Sequence, residues 1–191
     1  MSKDNMPTPA PRTLFLTSDV DAESMGEMGE LTKAIIEIND SDRHLEEVAR
    51  VNGFTYEPEP IRIYIDSYGG YVYQCFGLIG VMERSETPVH TYVTGCAMSC
   101  GFIILIHGHR RFGYRHSTPM YHQVSTGFVG KIGDMELEHV ETRRLQDKIE
   151  QMTLEHTKIK KARLREVYKT KTDWYMTAEE ALELGVIDEI V

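Results

Sequence analysis

Ser99 stands where a strand gives way to a helix, a position suited to a nucleophile. Residues 89–94 read as a strand, Gly95 follows, and an apolar helix begins after Ser99. At a helix start, unpaired backbone N–H groups and the positive end of the helix dipole can stabilise an oxyanion. Residues 97–101 (AMSCG) are similar to a nucleophile elbow with alanine in the first glycine position. A serine at a helix start is also a common N-cap, so this position alone does not indicate catalysis.

Two further residues could complete a Ser-His-Asp triad. His122 ends an extended segment that begins at Met120, and Asp173 precedes Trp174 and Tyr175, whose rings we expect to shield the carboxylate from water. In such a triad the histidine accepts the nucleophile's proton, and the aspartate orients the imidazole and stabilises its charged form. Taken singly, a histidine is more often a surface residue and an aspartate more often a turn residue.

The same region allows two other kinds of chemistry. The thiol of Cys100 could replace Ser99 as nucleophile, although a cysteine at the start of an apolar helix is more often a packed apolar residue. His107, His109 and His116 lie close together and could ligate a metal, but no Cys or acidic residue stands nearby in a recognised zinc spacing. We therefore expect neither a metal nor an organic cofactor.

Alternating strands and helices must position these residues. The predicted strands are residues 12–17, 61–65, 89–94, 120–122 and 186–191. Predicted helices cover residues 25–38 and 71–84, a segment after Ser99, residues 134–157, and a shorter segment before Asp173. The last helix begins at a capping box, Thr177 with Glu180, and ends at Gly185. This alternation favours an α/β fold with a mainly parallel sheet, whose strand ends gather reactive groups.

The length and composition are those of one ordinary globular domain. The chain has 191 residues, of which 41% are hydrophobic and 27% charged. Residues 1–11 read as a flexible leader, and residues 12–191 as a single domain. Within it, residues 40–60 read as a polar surface insertion with a short helix near residues 44–51 and a stop at Gly53.

Charge and cysteine content exclude several classes of protein. The net charge of -9 argues against a nucleic-acid-binding face, which would be basic. The N-terminus lacks the apolar region of a secretory signal, and the longest apolar run, residues 102–106, is too short to span a membrane. Three cysteines without a disulfide-scaffold spacing favour a reducing compartment, so we expect a cytoplasmic protein.

Five segments, in order, resemble the proteolytic subunit of the Clp protease family (ClpP). They are residues 12–17, residues 63–70 (IYIDSYGG), residues 95–101, residues 120–123, and the C-terminal pair 173–181 and 185–188. The resemblance extends over residues 12–191 and implies the spiral of β-α units that this family shares with the crotonases. It also implies a protruding handle helix over residues 134–157.

The resemblance assigns a role to nine residues. It implies a catalytic triad of Ser99, His122 and Asp173. The backbone N–H groups of Gly70 and Cys100 would form the oxyanion hole. The implied substrate-binding positions are Tyr71, Val72, Val124 and Ser125. The implied activity is that of a self-compartmentalised serine endopeptidase, which cleaves unfolded proteins and short peptides through an acyl-enzyme.

The family also implies partners. The chain departs from the family pattern at four places, and two of these departures bear on the partners. A heptameric ring, stacked as a tetradecamer, and a separate AAA+ unfoldase are implied. The short segment ahead of Arg12 weakens the expectation of an ATPase partner, and Lys171-Thr172, in place of an acid–arginine pair, weakens that of the stacked ring. Tyr68 replaces a proline without removing the following glycines, and residues 40–60 are longer than the family's equivalent.

Two alternatives remain open from sequence. A crotonase-like acyl-coenzyme A enzyme would keep the oxyanion turns but would not need Ser99, His122 and Asp173 together. A non-catalytic ring subunit would keep the fold, and its triad could be intact in sequence yet misaligned.

Overall fold

Strands and helices alternate along residues 9–17 and 25–191, the parts of the chain that the computed structural model describes. The strands are β1 (Thr13–Leu16), β2 (Ile61–Ser67), β3 (Val89–Met98), β4 (Arg110–Gly113), β5 (Thr118–Tyr121), β6 (Trp174–Tyr175) and β7 (Glu189–Ile190). The helices are α1 (Met25–Val51), α2 (Val72–Arg84), α3 (Cys100–Ile106), α4 (Ile132–His156), α5 (Lys161–Thr170) and α6 (Ala178–Glu183). Residues 1–8 of the expected leader lie outside the described residues.

A mainly parallel sheet carries the chain, as the sequence predicted. Its strand order is β1-β2-β3-β4-β7, and all four of these pairings are parallel. The first part of β3 pairs with β4, whereas its last residues, Cys96 to Met98, pair with β5. Strand β6 then adds to β5 in the antiparallel direction. Strand β3 therefore supports two neighbours in succession, and its C-terminal end lies beside β5.

Alternation along the strands builds the core. On β2, the side chains of Ile61, Ile63 and Ile65 are fully buried, while the intervening residues are only partly covered. Every residue of α3 is buried, so this short helix lies inside the domain. Burying an isoleucine side chain contributes about 1.5–3 kcal/mol, and this packing holds α3 against the end of β3.

Strand β3 is longer than predicted because Gly95 lies within it and does not end it. Ile65 pairs with Val93, but Ser67 pairs with Ala97, so β3 bulges between these positions. The carboxylate of Asp66 accepts a hydrogen bond from the backbone N–H of Cys96 (2.9 Å). A Cβ at Gly95 would collide with that carboxylate. The bulge carries β3 onward to Met98, directly before Ser99.

The two helices expected within residues 25–51 are one continuous helix, α1, which corrects the prediction of a short separate helix. Its apolar face continues beyond Ile38, because Leu45 and Ala49 are fully buried. The chain turns at Gly53, which has a positive φ of 78°. The first half of the expected insertion over residues 40–60 is thus part of a helix packed against the core.

Asp42 is a polar residue on the buried face of α1, and its hydrogen bonds compensate for its burial. It accepts hydrogen bonds from Arg12 (2.7 Å), Tyr56 (2.7 Å) and Thr87 (2.5 Å). Burial raises the pKa of Asp42, but these hydrogen bonds outweigh burial and hold its pKa below the ordinary value. The paired carboxylate therefore joins α1 to the segment that enters β1.

Strand β4 was not predicted, and the closing strand is shorter than expected. Arg110 and Arg111 begin β4, and their charges hid its strand pattern. In the fold they pair with Glu189 and Asp188 at β7, which spans only two residues. Parallel pairing with a distant segment, and not local sequence, makes this stretch a strand.

Helix α4 corresponds to the expected handle helix. Its second half packs on the domain through the buried residues Leu145, Ile149 and Met152. Its first half exposes large apolar side chains, among them Leu137 and Val140. None of the helices in the described residues is long and apolar enough to cross a membrane.

Candidate active site

Ser99 occupies a sharp turn between β3 and α3. Its backbone angles are φ 52° and ψ -117°, a conformation that residues other than glycine rarely adopt. The Ser99 N–H donates to the carbonyl of Met120 on β5 (3.1 Å), and its own carbonyl accepts from Ile103 in α3 (3.2 Å). A nucleophile elbow is a strained strand-to-helix turn of this kind, and the sequence had predicted one here.

Sheet register brings His122 and Asp173 to the same place. Met98 pairs with Met120, so Ser99 and His122 follow the ends of two adjacent parallel strands. Strand β5 pairs antiparallel with β6, and Tyr121 is opposite Trp174. His122 directly follows Tyr121 and Asp173 directly precedes Trp174, so these two residues face each other across the end of that ladder.

The His122–Asp173 contact is long and partly open to solvent. The His122 Nδ1 and Asp173 Oδ1 atoms are 3.8 Å apart, beyond hydrogen-bond distance. The Asp173 side chain is 54% exposed, so the expected aromatic shielding is wrong: Trp174 and Tyr175 do not cover it. Burial lowers the pKa of His122, and the nearby Asp173 charge partly counteracts this effect.

The turn after β2 lies against the Ser99 turn. Gly69 has a φ of 98°, and its N–H donates to the Ser67 hydroxyl (3.1 Å). A Cβ at Gly69 would lie 2.6 Å from both the Met98 carbonyl oxygen and the Ser99 Cβ. Only glycine therefore permits this approach. The next residue, Gly70, lines the pocket beside Ser99.

A pocket opens at Ser99 and contains most of the predicted site. Six of the nine residues line it: Gly70, Val72, Ser99, His122, Val124 and Ser125. Four further lining residues were not predicted: Gln123, which is polar, and Ile103, Tyr121 and Ile149, which are apolar or aromatic. Tyr71, Cys100 and Asp173 are not among the lining residues, and the Tyr71 side chain is exposed.

Cys100 is buried beneath the turn. Its thiol donates to the carbonyl of Gly70 (3.0 Å), and its own carbonyl accepts from the Cys75 thiol (3.6 Å). A buried thiol that is occupied in a hydrogen bond is poorly placed to attack a substrate, so the geometry favours Ser99 over Cys100 as nucleophile.

Gln146 is a site residue that sequence reasoning missed. It lies in α4, is buried, and its side-chain oxygen accepts from the backbone N–H of Val124 (2.8 Å). Its amide nitrogen also reaches the Tyr121 hydroxyl (3.4 Å). The chain segment after His122 is therefore held against α4 by one glutamine, which looked like an ordinary polar residue of a charged helix.

The histidines considered as metal ligands do not form one cluster. His109 is exposed and its Nδ1 accepts from the backbone N–H of Val89 (3.0 Å), while His116 is exposed elsewhere. His107 is buried, and burial lowers its pKa to about 4. Across residues 9–17 and 25–191, the three-residue group able to hold a metal is His107 with Glu83 and His156.

Sequence comparison relates the chain to known proteins. The sequence model of the Clp protease family matches residues 54–191. The chain is 33% identical, over 135 residues, to the ATP-dependent Clp protease proteolytic subunit of Deinococcus radiodurans. That match covers 70% of the chain but 65% of the relative. The family match spans the turns at Gly70 and Ser99 and strands β5 and β6, which His122 follows and Asp173 precedes. The chain belongs to the Clp protease family.

Proposed function

We propose that this chain is a serine peptidase that hydrolyses peptide bonds through Ser99, His122 and Asp173. The observation that carries the proposal is the β3-β5-β6 ladder, which aligns the three residues at one edge beside a pocket. The strained turn at Ser99 adds support, since such strain persists mainly at functional sites. Family membership supports a peptidase in general.

The proposed mechanism follows from the orientation of His122. Its Nδ1 faces Asp173, which leaves Nε2 to accept the proton from the Ser99 hydroxyl. The Ser99 Oγ attacks the peptide carbonyl carbon, and the backbone N–H groups of Gly70 and Cys100 stabilise the oxyanion. The C–N bond then breaks as His122 passes its proton to the leaving amine. Water, activated by His122, hydrolyses the acyl-enzyme and restores Ser99.

The pocket favours an extended substrate with an apolar side chain. Ile103, Ile149 and Tyr121 supply an apolar lining next to Ser99. The backbone segments at Tyr71-Val72 and Val124-Ser125 would flank the substrate on either side. Since Val124 already donates its N–H to Gln146, we assign substrate pairing on that side mainly to Ser125 and to the Val124 carbonyl.

We propose a homo-oligomeric ring, with seven subunits and stacked in pairs through α4. The exposed apolar residues in the first half of α4, among them Leu137 and Val140, need a partner surface. The 3.8 Å separation of His122 and Asp173 would shorten when assembly orders the adjoining segments, since catalytic hydrogen bonds are often long before the functional complex forms. The name of the Deinococcus relative supports a separate ATPase partner.

Peptide cleavage without ATP tests the proposal. The purified chain should hydrolyse a short fluorogenic peptide with an apolar residue at the cleaved bond, and should leave a stably folded protein intact. The reason is that chemistry needs only the triad, whereas a closed chamber excludes compact substrates. Native mass spectrometry across a dilution series, with activity measured in parallel, should show activity only in the assembled fraction. A fully active monomer, or rapid degradation of a folded protein, would contradict the chamber.

The acid limb of the pH profile should report His122. Burial lowers the pKa of His122 and the Asp173 charge raises it, so the acid-side midpoint of kcat/KM should depend on Asp173. Activity should be lost as pH falls through that midpoint, since a protonated imidazole cannot accept the Ser99 proton. Removing the Asp173 charge in Asp173→Asn should move the midpoint to lower pH. An acid limb that does not move in Asp173→Asn, with the assembly intact, would contradict the pairing of His122 with Asp173.

A further inference from the structure

Three helix ends meet at a group of potential metal ligands away from the peptidase pocket. Glu83 lies near the end of α2, His107 caps the end of α3, and His156 is the last residue of α4. One ligand atom from each lies within 4.8 Å of the other two. The carboxyl end of a helix carries partial negative charge, so three converging ends favour a cation.

The buried member of the group, His107, has a ring nitrogen close to Glu83 that makes no hydrogen bond within the described residues. Its side chain is fully buried, and its Nδ1 lies 2.7 Å from the carbonyl of Ile103. A carbonyl only accepts hydrogen bonds, so Nδ1 carries the proton and Nε2 of the neutral ring has an available lone pair. Within the described residues, Nε2 is buried without a hydrogen-bond partner. It lies 3.6 Å from the Glu83 carboxylate, so two acceptors face each other.

A metal ion between His107 Nε2 and the Glu83 carboxylate would bind both acceptors and remove the repulsion between them. Metal-ligating histidines usually donate their other ring nitrogen to a carbonyl, as His107 does. Tetrahedral zinc with bonds of 2.0–2.1 Å separates its ligand atoms by about 3.3 Å, close to the 3.6 Å between His107 and Glu83. The His156 ring already lies over the His107 ring, with centroids 4.1 Å apart. Small rotations of two side chains at the surface would complete the set.

The surroundings fit a bound cation. Arg111 acts on His107 as a positive charge, but it is paired with Asp188 and donates to the His156 carbonyl (2.5 Å). Lys148 lines the same groove as Glu83, and its ammonium lies over the Phe76 ring. Arg111 therefore anchors the end of α4, and its own charge is compensated by Asp188. Glu83 is exposed, which provides a route of entry from solvent.

We propose that Glu83, His107 and His156 form a binding site for a divalent transition metal of the zinc type, with water as the fourth ligand. Two imidazoles and a carboxylate are a donor set that suits such metals. This site differs from the His107, His109 and His116 group considered in the sequence analysis, since His107 is the one residue that both contain. The ion would join α2, α3 and α4. It would also fix the C-terminal end of α4, whose first half is exposed. The proposal does not depend on the peptidase assignment.

Zinc titration of the full-length protein tests the site. After treatment with EDTA and buffer exchange, isothermal titration with ZnCl₂ should show one ion per chain. Glu83→Gln and His156→Gln should each weaken binding by at least about 10-fold, since each loses a ligand. His116→Gln, which removes an exposed histidine outside the group, should bind as the wild type does. Co²⁺ should give a visible absorption band in the wild type and in His116→Gln, and a weaker band in Glu83→Gln and His156→Gln. Zinc should raise the Tm of the wild type.

Failure would be equally clear. Absence of zinc binding by the wild type would overturn the proposal, as would unchanged stoichiometry and affinity in both ligand variants. Glu83 is at the surface, so Glu83→Gln should fold even if His156→Gln does not. A His122→Ala variant should retain one zinc per chain, and loss of the ion there would move the site to the pocket and overturn the assignment.

Discussion

Replacing Ser99 by alanine should lower kcat for peptide hydrolysis by about six orders of magnitude, as loss of the nucleophile does in other serine triads. A fluorophosphonate probe should label the wild type and fail to label Ser99→Ala. The expected loss is this large because no other hydroxyl is assigned to attack the carbonyl. The residual rate enhancement of the variant would come from substrate binding and the oxyanion donors alone.

The variant should retain its fold, which makes the measurement interpretable. The Ser99 side chain makes no capping hydrogen bond to α3, so truncation to alanine removes none. The Ser99 N–H donates to Met120, and alanine preserves that bond. Thermal unfolding and native mass should therefore match those of the wild type. Alanine and serine are comparably disfavoured at a φ of 52°, so the turn should not relax.

Cys100→Ala provides the comparison for the labelling experiment. Its thiol is buried and hydrogen-bonded to Gly70, so the probe should still reach Ser99 in this variant. If Cys100→Ala lost the label and Ser99→Ala kept it, the cysteine would be the nucleophile. If the wild type neither bound the probe nor cleaved any peptide as an intact ring, the chain would be a non-catalytic subunit.

Asp173→Asn should lower kcat by about four orders of magnitude while leaving stability unchanged. An asparagine has the same shape but cannot stabilise the imidazolium, and its amide can hold His122 in the wrong tautomer. The effect on stability should be small because Asp173 is half exposed and is 3.8 Å from His122, beyond hydrogen-bond distance. The measurement is single-turnover cleavage of a peptide ester and an amide, with urea unfolding in parallel.

Glu179→Gln is a matched control for Asp173→Asn. Glu179 is an exposed carboxylate in the first turn of α6, six residues further along the chain. Its neutralisation should leave turnover unchanged. A loss of only a few-fold in Asp173→Asn, with the native mass preserved, would show that another carboxylate orients His122. A comparable loss in both variants would point to a general effect of charge near the pocket.

Features that depend on neighbouring residues could be predicted from the sequence. Thr177 and Glu180 form the expected capping box, and Gly185 adopts a positive φ of 66° after α6. The turn at Ser99 between a strand and an apolar helix also agrees with the prediction. Hydrogen bonds between residues a few positions apart, and backbone preferences of single residues, determine these features, so a local pattern is sufficient.

The family and the mainly parallel α/β sheet were also correct, because five ordered segments carry more information than any one of them. Strand ends in a parallel sheet share an edge, so the order of the segments already brought Ser99 and His122 together. Their catalytic roles, and those of the other predicted site residues, stay predictions until the variants are measured.

Only the tertiary structure determined the contacts between distant residues. The bulge that extends β3 to Met98 depends on Asp66, 30 residues before its hydrogen-bond partner Cys96. Asp173 lies just before the start of β6 and is 54% exposed, which its neighbours in sequence did not reveal.

The same limit applies to side-chain partners. His107 appeared in sequence beside His109 and His116, but the packing of three helix ends placed it with Glu83 and His156. Which residues meet at such a point depends on sheet register and on how helices cross, and both are set by the whole core. The sequence alone thus determined the fold class and the candidate triad. The tertiary structure decided the spacing within that triad and revealed the second site.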